Sequence, residues 1–211
     1  MFQVLTPPES SVDTLRPLCV DLDGTLVKSD TLIDSLLALA RKHPALLLAL
    51  PAQLLRGRAA FKRYVSSHVS LDVAHLPYNR KLLQFLHEER TRGRSVYLAT
   101  GADLHLAQAV AAHLDLFAGV FGSDGAVNLT GSRKLNRLRG QLNSAAYDYV
   151  GNDVPDLPLL AQATEIMVAN PSLRLRIELR KHAIHPTRAF TERPSTFRSV
   201  LRAIRPQQWI K

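Results

Sequence analysis

Asp21-Leu22-Asp23-Gly24-Thr25 sets two carboxylates one residue apart, at the end of the apolar run that starts at Pro17. Paired carboxylates just past a buried strand are costly unless something compensates them. A hard cation does so, and Mg²⁺ favours one or two carboxylates together with phosphate oxygens and waters. Asp21 in such a place can attack phosphorus as a covalent nucleophile. Asp23 can then protonate the leaving oxygen and later deprotonate a hydrolytic water. Gly24 allows a tight turn whose N–H groups face a phosphate. An ordinary strand-end turn uses the same residue types.

Three further segments carry candidate chemistry. Thr100 offers a hydroxyl and, with Gly101, backbone donors for a phosphate oxygen, although Thr-Gly after a strand is also a common turn. Lys134, in Gly131-Ser132-Arg133-Lys134, can neutralise a phosphoryl group and a nucleophile together. Arg133 competes for that role, and a solvated surface lysine is the plain alternative. Gly151-Asn152-Asp153-Val154-Pro155-Asp156-Leu157 supplies an amide and two carboxylates, and Asp153 or Asp156 can equally cap a helix.

These residues need elements to hold them. Pro17 to Leu22 reads as a buried strand. Residues 30–41 read as a helix with Asp30 as its N-cap, and Pro44 stops or restarts it. A second apolar helical stretch runs to about Leu55, and a more basic one covers roughly 59–69. Residues 79–92 form an amphipathic helix, 94–101 a strand into a glycine turn, and 103–113 a helix. Strands follow at 117–121 and 147–151, with a turn at 122–125. A helix at 157–163, a last strand at 165–168 and a helix over 171–182 complete the pattern. Strands alternating with helices predict an α/β fold with a parallel sheet and helices on both faces. Ligands in such sheets bind outside the carboxyl ends of the strands. The candidate residues 21–25, 100–101 and 151–153 all follow strands.

The 211 residues, 46% hydrophobic and 21% charged, suffice for a packed α/β domain with an insertion. A single cysteine, Cys19, allows no intrachain disulfide and sits in an apolar run as a core thiol. The first 20 residues lack a signal-peptide core. Ala45 to Leu55 is too short to span a bilayer and is broken by Pro51. Of the net charge of +9, residues 171–211 hold +8, with ten Lys and Arg against Glu178 and Glu192. Such a basic arm suits anionic lipid headgroups or nucleic-acid phosphates, and a solvated helix face is the plain alternative.

Taken together, the Asp-x-Asp-Gly-Thr run, Thr100, Lys134 and the 151–157 segment resemble the haloacid dehalogenase superfamily. The resemblance covers roughly residues 17–170. It implies a Rossmann-like three-layer α/β/α sandwich, with the core at 1–27 and 77–190 and a small helical cap inserted at 28–76. It implies a Mg²⁺-dependent phosphatase with Asp21 as nucleophile, Asp23 as acid/base, and Thr100, Gly101 and Lys134 at the phosphate. The metal would be held by Asp21, the Asp23 carbonyl, Asn152, Asp153 and Asp156. Asn152 stands where that family usually has an aspartate, which removes one charge from the metal set. The 79 positions from Asp21 to Thr100 make room for the cap, where Arg56, Arg58, Lys62 and Arg63 cluster. Arg58 and Lys62 are expected to reach a second anionic group of the substrate.

The tail, 191–211, carries Phe197, Leu201 and Ile204 on one helical face and Trp209 near its end. Its Arg-Pro-x-Gln-Trp-x-Lys string resembles the start of UbiA-type membrane prenyltransferase domains, and Leu76-Pro77-Tyr78-Asn79 resembles the phosphatase domains fused ahead of them. This resemblance implies a juxtamembrane tail leading to a prenyltransferase domain, at the cytoplasmic face of a membrane. The substrate would be a phosphorylated small molecule or a lipid-linked sugar, with polyprenyl-phosphoryl-ribose 5-phosphate as one candidate. A catalytically weak domain that regulates or positions the membrane partner is the second reading. The tail lacks interleaved aromatics and a nucleic-acid motif, so no nucleic-acid partner is expected.

Overall fold

The computed structural model describes residues 15–142 and 146–192. Its centre is β1, Leu18–Val20, a three-residue strand whose side chains are all fully buried. β2 (Val96–Asp103) and β4 (Asp148–Gly151) flank it, both parallel to it. β3 (Gly119–Ser123), β5 (Ile166–Ala169) and β6 (Arg188–Phe190) complete a six-stranded sheet in the order β3-β2-β1-β4-β5-β6. Every pairing is parallel.

Alternation along the strands builds two cores, because successive side chains point to opposite faces. Leu18, Val20, Leu98 and Val150 pack with Leu82, Phe85 and Leu86 of α4 (Arg80–Thr91) and with Ala107 and Val110 of α5 (Leu104–Leu114). Cys19 and Tyr149 face the other way. They pack with Leu135 and Leu138 of α6 (Ser132–Gln141), Leu159 and Leu160 of α7 (Leu157–Leu160), and Leu175 and Leu179 of α8 (Leu173–Lys181). Burial pushes the Cys19 thiol up to about 12, so it stays an inert core thiol. The result is a Rossmann-like three-layer α/β/α sandwich.

The crossover from β1 to β2 is long and carries its own small core. α1 (Thr31–Lys42) starts at Asp30, whose side chain accepts from the Leu32 and Ile33 N–H groups at 2.9 and 3.2 Å. It ends because His43 precedes Pro44, which disfavours helical backbone there. A 3₁₀ segment, Pro44–Ala49, leads into α2 (Leu50–Leu55) and α3 (Arg58–His68). Leu39, Val65 and Val69 bury themselves there against Leu36, Leu46, Leu50 and Phe61. Leu48 and Leu55 are left 86% and 90% exposed.

Several sequence expectations need correction. The sheet has a sixth strand, β6, beyond the one expected to be last. It is a three-residue edge strand with only Phe190 buried, so its pattern was too short to read. α6 was not expected, because only Leu135 and Leu138 mark its buried face. The glycine turn expected at Thr100-Gly101 lies inside β2, which continues to Asp103. Gly122 and Ser123, expected in a turn, belong to β3. Among the described residues no helix is long and apolar enough to cross a membrane. Of the aromatic and basic tail expected at 191–211, residues 193–211 lie outside the described residues.

Candidate active site

The carboxyl ends of β1, β2 and β4 open into one cleft of about 360 Å³. Asp21 follows β1 directly and is 6% exposed. Its N–H donates to the Val150 carbonyl at 3.0 Å, which ties the start of the loop to β4. The loop then folds back on itself: Thr25 and Val27 N–H groups donate to the Leu22 carbonyl, and the Leu26 N–H to that of Asp21. Gly24 has φ of +73°, and a Cβ there would lie 2.0 Å from Asn152 Nδ2. Glycine is therefore needed twice at this position, for its backbone angle and for the approach of Asn152.

Lys134 reaches the site from the first turn of α6 and is 2% exposed. Its Nζ donates to Asp21 Oδ1 at 2.8 Å, to Asp156 Oδ1 at 3.0 Å and to the Tyr149 hydroxyl at 3.0 Å. The Tyr149 hydroxyl donates in turn to Asp156 Oδ1 at 2.8 Å. Asp156 Oδ2 accepts from the backbone N–H groups of Asn152 at 3.0 Å and Asp153 at 3.4 Å. Gly151 leaves the space, since a Cβ there would sit 2.8 Å from the Asp156 carboxyl. Asp21 Oδ2 has a single long contact, from the Thr25 hydroxyl at 3.4 Å.

The charges do not balance. One ammonium serves two carboxylates, with a third, Asp23, close by. Burial pushes the Asp21 carboxyl up to about 7; Lys134 opposes the rise, and Asp156 and Asp23 add to it. Burial raises Asp23 as well, against the pull of the Thr31 N–H, which donates to Asp23 Oδ1 at 2.8 Å. Burial alone would lower Lys134, but its two carboxylate partners outweigh that and raise it.

The remaining candidate residues divide by position. Gly101 lines the cleft, whereas the Thr100 side chain is fully buried, does not line it, and accepts from the Ala102 N–H at 3.0 Å. Lys62 of α3 lines the cleft and donates to the Gly101 carbonyl at 2.6 Å and to Asn128 Oδ1 at 2.9 Å. This pair of bonds pins the inserted helices to the sheet. Arg58, one helical turn earlier, is exposed and does not line the cleft. Asn152 and Asp153 line it, and Asp153 Oδ1 also accepts from the Ser172 hydroxyl at 2.6 Å. Arg133 is exposed, whereas Lys134 is buried against Asp21. Tyr149, Lys28 and Thr130 also belong to the site and were not singled out from sequence. Only Tyr149 carried a signal, as a phenol inside a buried strand that must find a hydrogen-bond partner.

The donor set suits a hard cation in type but is thin in charge. Among the described residues no three His, Cys, Asp or Glu side chains cluster as a metal site. Both Asp156 oxygens are already hydrogen-bonded within the protein. Asp21 Oδ1 and Asp153 Oδ1 are also engaged, by Lys134 and Ser172, which leaves Mg²⁺ the second oxygens of Asp21 and Asp153, the Asn152 amide and the Asp23 carbonyl, and fits an ion that keeps several waters.

Solved structures share this architecture. A HAD family hydrolase from Salmonella enterica serovar Typhi matches with a TM-score of 0.58 at 17% identity, over 88% of this chain and 69% of that one. The phospho-aspartyl intermediate analogue of phosphoserine phosphatase matches at 0.52 and 14%, over 90% and 98%. A phosphoserine phosphohydrolase-like protein from Francisella tularensis matches at 0.54 and 15%, over 89% and 99%. The chain has the fold of HAD-type hydrolases. In sequence it is 31% identical over 199 residues to the uncharacterized protein y4nM of Sinorhizobium fredii. That alignment takes in 94% of this chain, which spans 38% of the length of that relative. No family model matches the chain.

Proposed function

We propose that the cleft hydrolyses phosphate monoesters through an aspartyl-phosphate on Asp21. The observation that carries this is Asp21 itself: a buried carboxylate at a strand end that lines the cleft, one oxygen held by Lys134 and the other only by the long contact from the Thr25 hydroxyl. In the first step an Asp21 oxygen forms a bond to phosphorus. The ester P–O bond breaks, and the leaving alkoxide takes a proton from Asp23, which burial inclines to keep that proton until then. In the second step water attacks phosphorus, gives its proton to Asp23, and the Asp21–phosphorus bond breaks to release phosphate. Lys134 faces the nucleophile throughout and offsets the charge that gathers on the phosphoryl oxygens. Gly101 and the loop after Asp21 border the same space and are assigned to phosphate binding. Asp21, the Asp23 carbonyl, Asn152 and Asp153 would hold Mg²⁺, which when bound would add charge neutralisation at the phosphoryl group. The inserted helices act as a cap, with Lys62 as its contact to the reacting end. The test is phosphate release from p-nitrophenyl phosphate with Mg²⁺, compared with Asp21→Asn and with EDTA. Equal release in all three would end the reading.

A second surface supports a membrane-side setting for this chemistry. Residues 35–71 contain no Asp or Glu and six Lys and Arg: Arg41, Lys42, Arg56, Arg58, Lys62 and Arg63. Leu48, Leu54 and Leu55 stand exposed in the stretch of chain between Arg41-Lys42 and Arg56. Apolar side chains flanked by cations match the interface of an anionic bilayer. A lipid-linked sugar phosphate is the corresponding substrate, and a UbiA-type prenyltransferase the corresponding partner, the latter on the tail's resemblance alone. Flotation with phosphatidylserine vesicles checks the surface. Leu48→Gln with Leu55→Gln is expected to cut vesicle binding several-fold, and undiminished binding would remove this surface from the account.

A further inference from the structure

Beside the cleft lies a smaller chamber of about 80 Å³, between α1, α3 and the junction of β2 with α5. Asp23, Asp30 and Lys62 line both spaces, so the two are continuous at the proposed acid/base residue. The chamber contains buried polar atoms with no hydrogen-bond partner. Thr31 is fully buried, and its hydroxyl lies close to the Asp23 carboxylate without completing a hydrogen bond. The backbone around that hydroxyl is spoken for: the Thr31 N–H donates to Asp23, and its carbonyl accepts from the Ser35 hydroxyl at 2.7 Å. Asp103 is 4% exposed. Its Oδ1 caps α5 by accepting from the His105 N–H at 3.0 Å, while its Oδ2 has no hydrogen-bond partner. The Arg63 guanidinium stands 3.7 Å from that oxygen, and its Nη1 is likewise buried without a hydrogen bond.

A buried polar atom left unpaired costs about 1–3 kcal/mol. Thr31 and Asp103 both line the chamber and each has such an oxygen, which favours a ligand that brings hydrogen-bond donors. Charge narrows the class. Asp23 carries the proton in the proposed first step, Arg63 stands against Asp103, and Asp30 and Lys62 offset each other, so the lining holds no spare charge for an ionic group. The Arg63 guanidinium already faces the Asp103 carboxylate, which leaves that oxygen short of a donor rather than of a countercharge. The volume admits several water-sized groups. We propose that this chamber binds the leaving group of the substrate, and that it selects an uncharged, hydroxyl-bearing one, a polyol or sugar, through Thr31 and Asp103. This rests on the phosphatase reading for the place of the phosphoryl group at Asp21. The leaving oxygen would then sit at Asp23, and the carbons beyond it would enter the chamber.

The test compares sn-glycerol 3-phosphate, n-propyl phosphate and phosphoethanolamine, which share a small phosphate ester and differ in what they bring to Thr31 and Asp103. Dissociation constants are measured by calorimetry on the Asp21→Asn protein with Mg²⁺, and kcat/KM on the wild type. Glycerol 3-phosphate is expected to bind on the order of tenfold more tightly than the other two, the size of a site that must satisfy its own polar groups. Thr31→Val, and separately Asp103→Asn, which keeps the cap on α5, should bring the glycerol-to-propyl ratio to within about twofold. Thr31→Ser should retain the preference, which separates the lost hydroxyl from a packing defect. Equal binding of all three esters, or tighter binding of phosphoethanolamine, would overturn the proposal. Hydrolysis of all three at equal kcat/KM would also overturn it while leaving the phosphatase reading intact. Selective binding of glycerol 3-phosphate without any hydrolysis by the wild type would sustain the chamber and remove the phosphatase reading.

Discussion

Two buried charge clusters stand at opposite ends of β1 and β4, and they are built on opposite terms. At the amino ends, Arg94 donates to the Arg16 carbonyl at 2.7 Å, to Glu89 Oε2 at 2.7 Å and to the Asp148 carboxylate. Asp148 also accepts from Arg16 and from the Glu165 N–H, and Glu89 from Arg92. Arginines outnumber acids there, and every carboxylate oxygen is occupied. At the carboxyl ends, Lys134 is the one cation bonded to Asp21 and Asp156, Asp23 lies nearby, and one Asp21 oxygen has only a long contact from the Thr25 hydroxyl. The first cluster is a closed clamp that joins the starts of three strands to α4. The second is left electrostatically incomplete, in the way a site must be if phosphate and a cation are to complete it.

The comparison breaks most directly at Asp21. With the phosphatase reading, Asp21→Asn removes the nucleophile and should lower phosphate release by at least about 10³-fold. Release within tenfold of wild type would make the carboxyl-end cluster a second clamp instead. The clamp itself is tested by Arg94→Ala, which strands the buried Asp148 and Glu89 without their cation. Such a loss costs about 3–5 kcal/mol, read as a lower urea midpoint. A change under about 1 kcal/mol would mean that Arg16 and Arg92 suffice.

Tyr149 sharpens the contrast, because its neutral hydroxyl bridges the ammonium and a carboxylate of the incomplete cluster. Its hydroxyl accepts from Lys134 and donates to Asp156, and so fixes where the ammonium sits between two carboxylates. Tyr149→Phe keeps the ring in the core beside Cys19 and Leu159. It should lower kcat by about tenfold and stability by about 1 kcal/mol, the worth of one buried hydrogen bond. An unchanged kcat with reduced stability would make Tyr149 part of the packing only.

Much of this arrangement was readable in sequence, and the unread parts share a cause. The Asp21–Thr25 run, Lys134 and Asp156 could be singled out because each follows a strand whose apolar pattern was clear, and the fold brings them to one cleft. The α1 boundary was readable because Asp30 and Pro44 act within one turn of it. Lys134 was expected after the third strand, but its helix α6 was not, since ten residues with two buried leucines give almost no periodic signal. The clamp was invisible for a different reason. Arg16, Glu89, Arg94 and Asp148 lie in four separate segments, and only the folded sheet brings them together. Arg58 shows the limit from the other side: it is four residues from Lys62, so helical spacing groups the two, yet only Lys62 meets the cleft. Which end of a helix abuts the sheet is set by tertiary packing, here by the bonds from Lys62 to Gly101 and Asn128.

The smallest expected effect is the most discriminating, because it makes the same substitution at both ends. Asp→Asn replaces a carboxylate by a near-isosteric amide and removes one charge. At Asp148 it weakens bonds to Arg94 and Arg16 and sets an amide against the Glu165 N–H, so stability should fall. At Asp21 the charge removed is one of an excess, held in a site where burial already pushes the carboxyl up to about 7. Lys134 keeps Asp156 as its counter-ion and Tyr149 as its acceptor. Asp21→Asn should therefore raise stability at neutral pH by about 1 kcal/mol, measured by urea unfolding in EDTA so that no cation compensates the wild type. Opposite signs for the two variants are what a closed clamp and an open site require. A loss at both positions would show that Lys134 needs both carboxylates to remain buried, and that the carboxyl-end cluster is held together by the same balance as the clamp.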